Sequence, residues 1–441
     1  MSPESSHYHS NKSKRREKSR YQYQASKGHR IPVTTDVTVL GAGAAGLALT
    51  WWLIHEQNYM GQITIVDDSF KKSPSEEKIW CFWEQGVLPW EIETLVEVSW
   101  MKMKVGNGSQ YTEHQFKENV YRCIRSSHYR RHLISTLSSF PNVSFIEDRY
   151  LDHNYRKSGG SEETVAQITC EEHDIFSPIL VSSLEIPFKK KFESTRLNET
   201  GQPAIWQQFQ GWEIETNQPV FEPGTFTFMD FDPDNQDGIG FTYVLPFTSH
   251  KALVEWTKLS TKQVPADTMA AKLKQYLNKR FGIERGAYHL NRVESGAIPM
   301  DSSRYKARSF HENASFGGGV IPIGQAAGTT RPSTGYTFIR TWQHARQIAA
   351  HIAEPGKTQL PDKQLDGIRH RFFDEIFLRE LNQNPGKVKK LLWGLLTTKN
   401  SDRIFDFLSG QSSLLSELSL LTRMPILHFS KSALNYFRSK K

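Results

Sequence analysis

Two acids set inside apolar runs and two glycine-rich loops are the residues whose types and spacing suit chemistry in this chain. Glu255 lies in ALVEWT and Asp230 in FMDF. A carboxyl buried in such a run is disfavoured in its charged form, so it holds a proton near neutral pH, as a general acid must. Strand alternation equally allows either acid to face solvent. The first loop, Gly41-Ala42-Gly43-Ala44-Ala45-Gly46, follows a β-branched run at 35–40 and precedes a helical pattern, LALTWWLIHEQ. In that setting Gly41 makes the tight turn, Gly43 admits a pyrophosphate, and Gly46 lets helix and strand pack closely. Asp67 ends the next strand about 20 residues later, the spacing of a carboxylate that binds ribose hydroxyls; Asp68 is its rival for that role.

The second loop lies within IPIGQAAGTTRPSTGYTFIR, residues 321–340. It reads as a short apolar strand, a loop, and a helix beginning near Tyr336. Gly324, Gly328 and Gly335 allow close backbone approach, and with Pro332 and Tyr336 they lead into a helix N-terminus, which favours an anionic group. An ordinary strand–turn–helix connection has the same outline. The partner loop at 41–46 favours the second half of a dinucleotide site. Residues 120–137 read as a strand running into an amphipathic helix. Arg125, Arg130 and Arg131 there suit phosphate binding, or a solvated helix face.

The elements that must position these residues define an α/β chain. A Rossmann-type dinucleotide-binding domain spans 31–200 and resumes at 301–360. From about residue 204 the pattern changes to antiparallel strands separated by turn formers, so 201–300 is an inserted, mainly antiparallel β-sheet substrate domain. A helix is expected over 266–282. Residues 361–441 form a helical C-terminal region. Residues 1–30 lack apolar periodicity and are expected to be a disordered basic arm. The Trp-dense stretch 79–90 suits a pocket wall or packing beneath a long loop.

The charge of +8 is concentrated at the ends. Residues 1–30 hold eight Lys or Arg against Glu4 and Glu17, and residues 387–441 hold ten against Asp402, Asp406 and Glu417, which leaves the body between them net acidic. An acidic body argues against nucleic-acid binding, and basic ends suit an anionic membrane surface. Cys81, Cys123 and Cys170 are isolated, without CxxC or zinc spacing, so a reducing compartment and no metal site are expected. No segment approaches the roughly 18 apolar residues of a spanning helix.

In order along the chain, GxGxxG at 41–46, IWCFWE at 79–84, FMDF at 228–231, FTYVLPFT and ALVEWT within 241–257, SGAIPM at 295–300 and GQAAGTTRPSTGYTF at 324–338 resemble the lycopene β-cyclases of the bacterial flavoprotein type. The resemblance implies an FAD-dependent enzyme without net redox change. Such an enzyme closes the ends of lycopene into β-ionone rings and gives β-carotene through γ-carotene, with reduced FAD as the active form and NAD(P)H as reductant. It puts the family's essential acid on Glu255 and the Asp of its FMD-type motif on Asp230. It gives Gly41, Gly43, Gly46 and Asp67 the ADP half of FAD, and Gly324, Gly328, Pro332, Gly335 and Tyr336 the diphosphate and flavin. Gln325 occupies a position where flavin hydroxylases usually carry Asp, which is in keeping with the cyclases and argues against an ordinary hydroxylase. One departure from the family stands out: Trp256 stands where many relatives have a second acid. An FAD-dependent monooxygenase or halogenase acting on a hydrophobic substrate is the alternative. Because lycopene dissolves in bilayers, the resemblance also implies a cytoplasmic, peripherally membrane-associated protein. The basic segment 387–441 is the candidate contact, or a lid packed on the body.

Overall fold

The computed structural model describes residues 30–70, 77–83, 86–157, 164–184, 205–233, 237–301, 319–354 and 365–421. Among these residues the strands form four sheets. Val37–Leu40 is buried along its whole length, as an apolar strand covered on both faces must be. It is the centre of a parallel sheet ordered Val320–Pro322, Ile179–Ser182, Val37–Leu40, Ile63–Asp67, Val143–Glu147. The helix Ala44–His55 is apolar on nearly every side, and each residue from Ala45 to Ile54 is buried. Trp51 and Trp52 meet Trp342 of the helix Phe338–Ala353 edge-on, at 5.9 and 5.7 Å between ring centroids. The Trp52 indole N–H donates to the Trp342 carbonyl at 3.2 Å. The helices that follow the two glycine loops are thereby locked side by side. The second helix starts two residues later than expected, at Phe338, because the chain first turns through Gly335 at φ +76°.

The second large sheet is ordered Tyr288–Met300, Ile205–Thr216, Lys251–Ser260, Ile239–Pro246, Thr225–Phe231, Lys102–Gly106, Tyr111–Gln115. Its last two strands come from a segment well before residue 201, and Lys102–Gly106 joins Thr225–Phe231 in parallel. The two-residue period divides its faces. Trp212, Val244, Val254 and Trp256 pack on Leu273 and Leu277 of the amphipathic helix Ala266–Phe281. Tyr243, Leu245 and Leu253 point the other way, into an aromatic core with Tyr121, Phe226 and Phe228.

The helices Pro385–Leu396 and Ser401–Ser409 cover that aromatic core. Phe405 stacks on Trp83 at 4.7 Å and on Phe116 at 4.6 Å, and the Trp83 indole N–H donates to the Phe405 carbonyl at 3.2 Å. Up to residue 409 the C-terminal region is therefore a packed roof. Beyond it Leu414 and Leu415 are 59% and 80% exposed. The basic arm at 1–29, Glu84 of the IWCFWE motif and residues 422–441 lie outside the described residues.

Candidate active site

The two glycine loops meet at the C-terminal edge of the parallel sheet. Gly324, at φ +62°, lies so close to the first helix that a Cβ on it would stand 2.6 Å from the Ala45 Cβ. Gly46 is equally constrained, since a Cβ there would stand 2.0 Å from the Gly41 carbonyl oxygen. Around Gly43, by contrast, nothing lies within 4 Å of an added Cβ. Gly43 caps the helix Ala44–His55 without a side-chain hydrogen bond, and the first turn holds no acid. The helix N-terminus thus offers its amides and its positive end to an open space, which fits the diphosphate of a dinucleotide. Asp67 accepts from the Ala42 N–H at 2.7 Å, from the Ser69 N–H at 2.9 Å and from Arg130 at 3.1 Å.

Next to this cradle is a cavity of about 400 Å³ lined by the seven-stranded sheet, by Ile79–Cys81 and Tyr121 of the three-stranded sheet, and by the second glycine loop. Trp80, Tyr121, Phe209, Tyr243 and Phe338 supply aromatic walls, and the second glycine loop contributes Gln325, Gly335 and Tyr336. Gly335 adopts φ +76°, which favours glycine where the loop crosses the sheet, and the Gln207 side chain lies over it, 2.6 Å from where a Cβ would stand. The Tyr121 and Tyr336 hydroxyls are hydrogen-bonded at 2.8 Å, and Tyr336 meets Trp83 edge-on at 4.3 Å.

Glu255 reaches into this cavity, and Glu294 faces it there. The register explains how. Both residues lie opposite Gly211, Glu255 on one flanking strand and Glu294 on the other. Neighbouring strands are ~4.8 Å apart, so the backbones of the two acids are separated by a whole intervening strand. Their side chains lean over Gly211 and hydrogen-bond to each other. A Cβ on Gly211 would stand 3.1 Å from the Glu294 Cγ and 3.4 Å from the Glu255 Oε2. Burial, then the charge on Glu294, pushes the Glu255 carboxyl up to about 8, against the Thr257 hydroxyl, which donates to it at 3.2 Å. Glu255 is half-buried: it keeps some exposure where it borders the cavity, and protein packs around the rest of its carboxyl. Burial raises Glu294 as well, and Arg292 at 2.8 Å opposes that rise.

Arg292 belongs to a chain of charges behind the pair. It also bonds Glu213 at 3.2 Å. Glu213 in turn is gripped by Arg125 at 2.9 and 3.1 Å and by Lys251 at 2.7 Å. Burial opposes ionisation of Glu213, but Arg125 and Lys251 overcome it and hold the group at about 2. Arg125 was expected at a phosphate. The structure corrects this: its guanidinium is engaged by Glu213, by Glu77 at 2.9 Å and by Glu97. The strand Tyr121–Arg125 ends beneath the antiparallel sheet, and Arg130, one turn further on, is the arginine that reaches Asp67.

Asp230 is a second correction. It is buried, but it is not in the cavity. It accepts from the Tyr111 and Tyr276 hydroxyls at 2.8 and 3.0 Å and from the Gly108 N–H at 3.0 Å. Tyr276 belongs to the helix Ala266–Phe281, on the opposite face of the sheet from Glu255. The cause is a β-bulge: Thr227 pairs with Val244, yet Asp230 pairs with Thr242. One extra residue on this strand reverses the alternation, so Phe228 faces the aromatic core and Asp230 does not.

Glu294, Gly211 and Lys78 were not singled out from the sequence. A usable signal exists in RVESG, where Arg292 and Glu294 are two residues apart and so share a face of a strand.

A parallel dinucleotide-type sheet joined to a second, mainly antiparallel sheet that walls a cavity is a fold shared with flavin-dependent enzymes. A geranylgeranyl bacteriochlorophyll reductase-like protein from Thermoplasma acidophilum matches with a TM-score of 0.54 at 13% identity, over 91% of this chain and 100% of that one. A flavin-dependent brominase (a triple mutant) gives 0.54 at 12%, over 92% and 100%. The halogenase PltM, in a mutant form in complex with FAD, gives 0.51 at 11%, over 91% and 94%. Within that fold this chain belongs to the lycopene cyclase family, whose model (Lycopene cyclase protein) matches residues 36–434. A lycopene beta-cyclase of Paracoccus sp. (strain N81106 / MBIC 01143) is 32% identical over 181 residues, 40% of this chain. The matched segment spans 44% of that relative's length.

Proposed function

We propose that this chain is a lycopene β-cyclase, which converts lycopene to β-carotene through γ-carotene by proton-initiated ring closure with no net redox change. The observation that carries this reading is the placement of Glu255, paired with Glu294 over Gly211, at an aromatic cavity that the second glycine loop walls. Family membership and the β-cyclase relative support the substrate class.

The chemistry asks four things of the chain. It must protonate an unactivated alkene, bear the tertiary cation that results, exclude water, and take a proton back. Glu255 suits the first, because a carboxyl raised to about 8 still carries its proton at neutral pH. Protonation forms a C–H bond on the terminal alkene, the neighbouring alkene attacks the cation, and loss of a ring proton restores a double bond. The faces of Trp80, Phe209, Tyr121 and Tyr243 suit a cation that has no counter-ion of its own. Trp83, edge-on against the cavity-lining Tyr336 and stacked on Phe405, backs that wall with apolar packing. A cavity of about 400 Å³ takes in an end group and not a whole carotenoid, so the two rings are made one at a time.

FAD is the cofactor this site suits. Gly41, Gly43, Gly46 and Asp67 would hold its ADP half, and Gly324, Gly328, Pro332, Gly335 and Tyr336 its diphosphate and flavin. Bound there and reduced, with NAD(P)H as reductant, FAD would supply negative charge that stabilises the cation. Arg130, which neutralises Asp67, takes the place first given to Arg125.

Asp230 has a structural role in this account. Replacing it with Asn leaves two half-buried tyrosines with a poorer acceptor at the buried position of Asp230 itself, so Asp230→Asn is expected to lose about 1–3 kcal/mol of stability in urea unfolding. Its lycopene conversion should keep the wild-type pH dependence. A shifted pH profile would return Asp230 to the chemistry.

Lycopene has to be taken from a bilayer, and exposed Leu414 and Leu415 beside a basic chain end suit that task. No helix of the described residues is long and apolar enough to cross a membrane. The double variant Leu414→Glu, Leu415→Glu is expected to sediment several-fold less with anionic liposomes; equal sedimentation removes this patch from the contact.

Expression in a lycopene-accumulating host tests the function as a whole. Conversion of the pigment to β-carotene is expected. Unchanged lycopene beside folded, flavin-loaded protein overturns the reading.

A further inference from the structure

We infer that Glu294 is a positioning residue for the proposed reaction: held as a carboxylate by Arg292 and facing Glu255 over Gly211, it keeps the proton on Glu255 between turnovers and draws the departing ring proton back into the pair. The inference rests on the cyclase reading of this site.

Three features of the geometry carry it. The first is that the pair is built into the sheet. Two acids on strands that are not neighbours meet over Gly211, where a Cβ would stand 3.1 Å from the Glu294 Cγ and 3.4 Å from the Glu255 Oε2 and so press on both. The second is an asymmetry in what holds each acid. Glu294 receives the Arg292 guanidinium at 2.8 Å, and Arg292 is itself fixed by Glu213 at 3.2 Å and by the Glu77 carbonyl at 2.6 Å. Among the described residues Glu255 receives the Thr257 hydroxyl besides its partner, with Lys78 acting on it through charge. A single shared proton therefore rests on Glu255 and the negative charge on Glu294. The third is access. Both acids line the cavity, so a proton that leaves Glu255 and one that comes back use the same opening.

The cycle balances without an outside acid or base. Breaking the Glu255 O–H bond forms the substrate C–H bond. The second alkene's electron pair forms the ring C–C bond. Breaking the ring C–H bond re-forms a double bond and returns one proton to the pair as O–H. No electrons are gained or lost. While the proton is on the substrate, two adjacent carboxylates face a carbocation. Their mutual repulsion favours recovering a proton, and their joint charge favours the cation until they do. Two carboxylic acids on neighbouring positions of one strand are not required for this, which accounts for Trp256 where many relatives have a second acid. The second acid comes from the strand on the far side of Gly211.

The other titratable and charged groups around Glu255 bear on its proton as well. Lys78 donates to the Ser295 carbonyl at 2.6 Å and acts against the raised state of both acids. Cys81, Tyr243 and Tyr336, from three further elements, are themselves raised by burial, so they are neutral near pH 7 and leave Glu294 as the negative charge nearest Glu255.

The test uses the full-length, flavin-loaded protein and two readouts over a pH titration: the infrared C=O band of a protonated carboxyl, and the rate of lycopene conversion. In wild type the band is expected to disappear near pH 8 and to be missing in Glu255→Gln. In Glu294→Gln the band should disappear at least one pH unit lower. The alkaline limb of the rate should move with it, which lowers conversion about tenfold above neutrality. Gly211→Ala keeps both acids and inserts a methyl group between them, so it should move both readouts in the same direction and guards against a folding defect in Glu294→Gln. Band and rate limb at wild-type pH in a folded, flavin-loaded Glu294→Gln would overturn the inference. A wild-type protein that leaves lycopene unchanged would overturn the cyclase reading and with it the role in the reaction. A band that still moves in Glu294→Gln then identifies that reading, not the pair, as the point of failure.

Discussion

Glu255→Gln is expected to fold, to retain flavin and to lose lycopene conversion by at least about 100-fold, the lower range for removing a positioned general acid. Gln keeps the shape and can still hydrogen-bond to Glu294 and Thr257, so packing around the site should change little. What it removes is the transferable proton. Burial together with the Glu294 charge raises the Glu255 carboxyl. The acid form is the active one and is present below the raised value, so wild-type conversion should be flat below about pH 8 and fall above it. The residual conversion of Glu255→Gln should lack that fall. Product analysis across pH, with flavin content measured on the same samples, checks both points. Near-normal conversion in the variant would remove Glu255 from the mechanism.

The second large effect is expected at Gly43. Its backbone, at φ −87° and ψ −165°, is open to any residue, and nothing lies within 4 Å of an added Cβ. In the flavin-free protein Gly43→Val should therefore change stability by less than about 0.5 kcal/mol. The added side chain fills the space in front of the helix N-terminus, where the diphosphate would lie. Flavin affinity is expected to fall at least about 100-fold, or ~3 kcal/mol. Thermal unfolding of the flavin-free forms and flavin absorbance after desalting separate the two effects. Full flavin content in Gly43→Val would move the cofactor away from this loop. Substitution at Gly46 is a weaker test, because a Cβ there meets the Gly41 carbonyl at 2.0 Å and disturbs the fold itself.

What was legible in the sequence was mostly local. Strand, glycine turn, helix and following acid at 37–67 are determined within one supersecondary unit, and the structure has each element in place. The second glycine loop was legible because Gly324, Gly328 and Gly335 adopt positive φ, which marks them as glycine in the sequence. Glu255 was legible as an acid inside the apolar run ALVEWT, and because its strand pairs without a bulge the Glu faces away from Val254 and Trp256. Properties that depend on register were not. A bulge between Thr227 and Asp230 reversed one residue's face. The Glu255–Glu294 contact joins segments that only sheet pairing brings near, and its enabling residue is a glycine in the strand between them. Arg125 could not be told from a phosphate ligand until Glu77, Glu97 and Glu213 had converged on it from separate strands and loops. Lys102–Gly106 and Tyr111–Gln115 joined the distant sheet for the same reason.

The most direct test of the central claim counts reductant against product. Purified, flavin-loaded protein is given lycopene in liposomes after a single reduction of its flavin, with and without O₂, and pigments are analysed as turnover proceeds. The expected result is β-carotene in many-fold excess over reductant, formed equally well without O₂. Unchanged lycopene, or one equivalent of reductant and O₂ consumed for each product, would contradict a proton-driven, redox-neutral cyclisation.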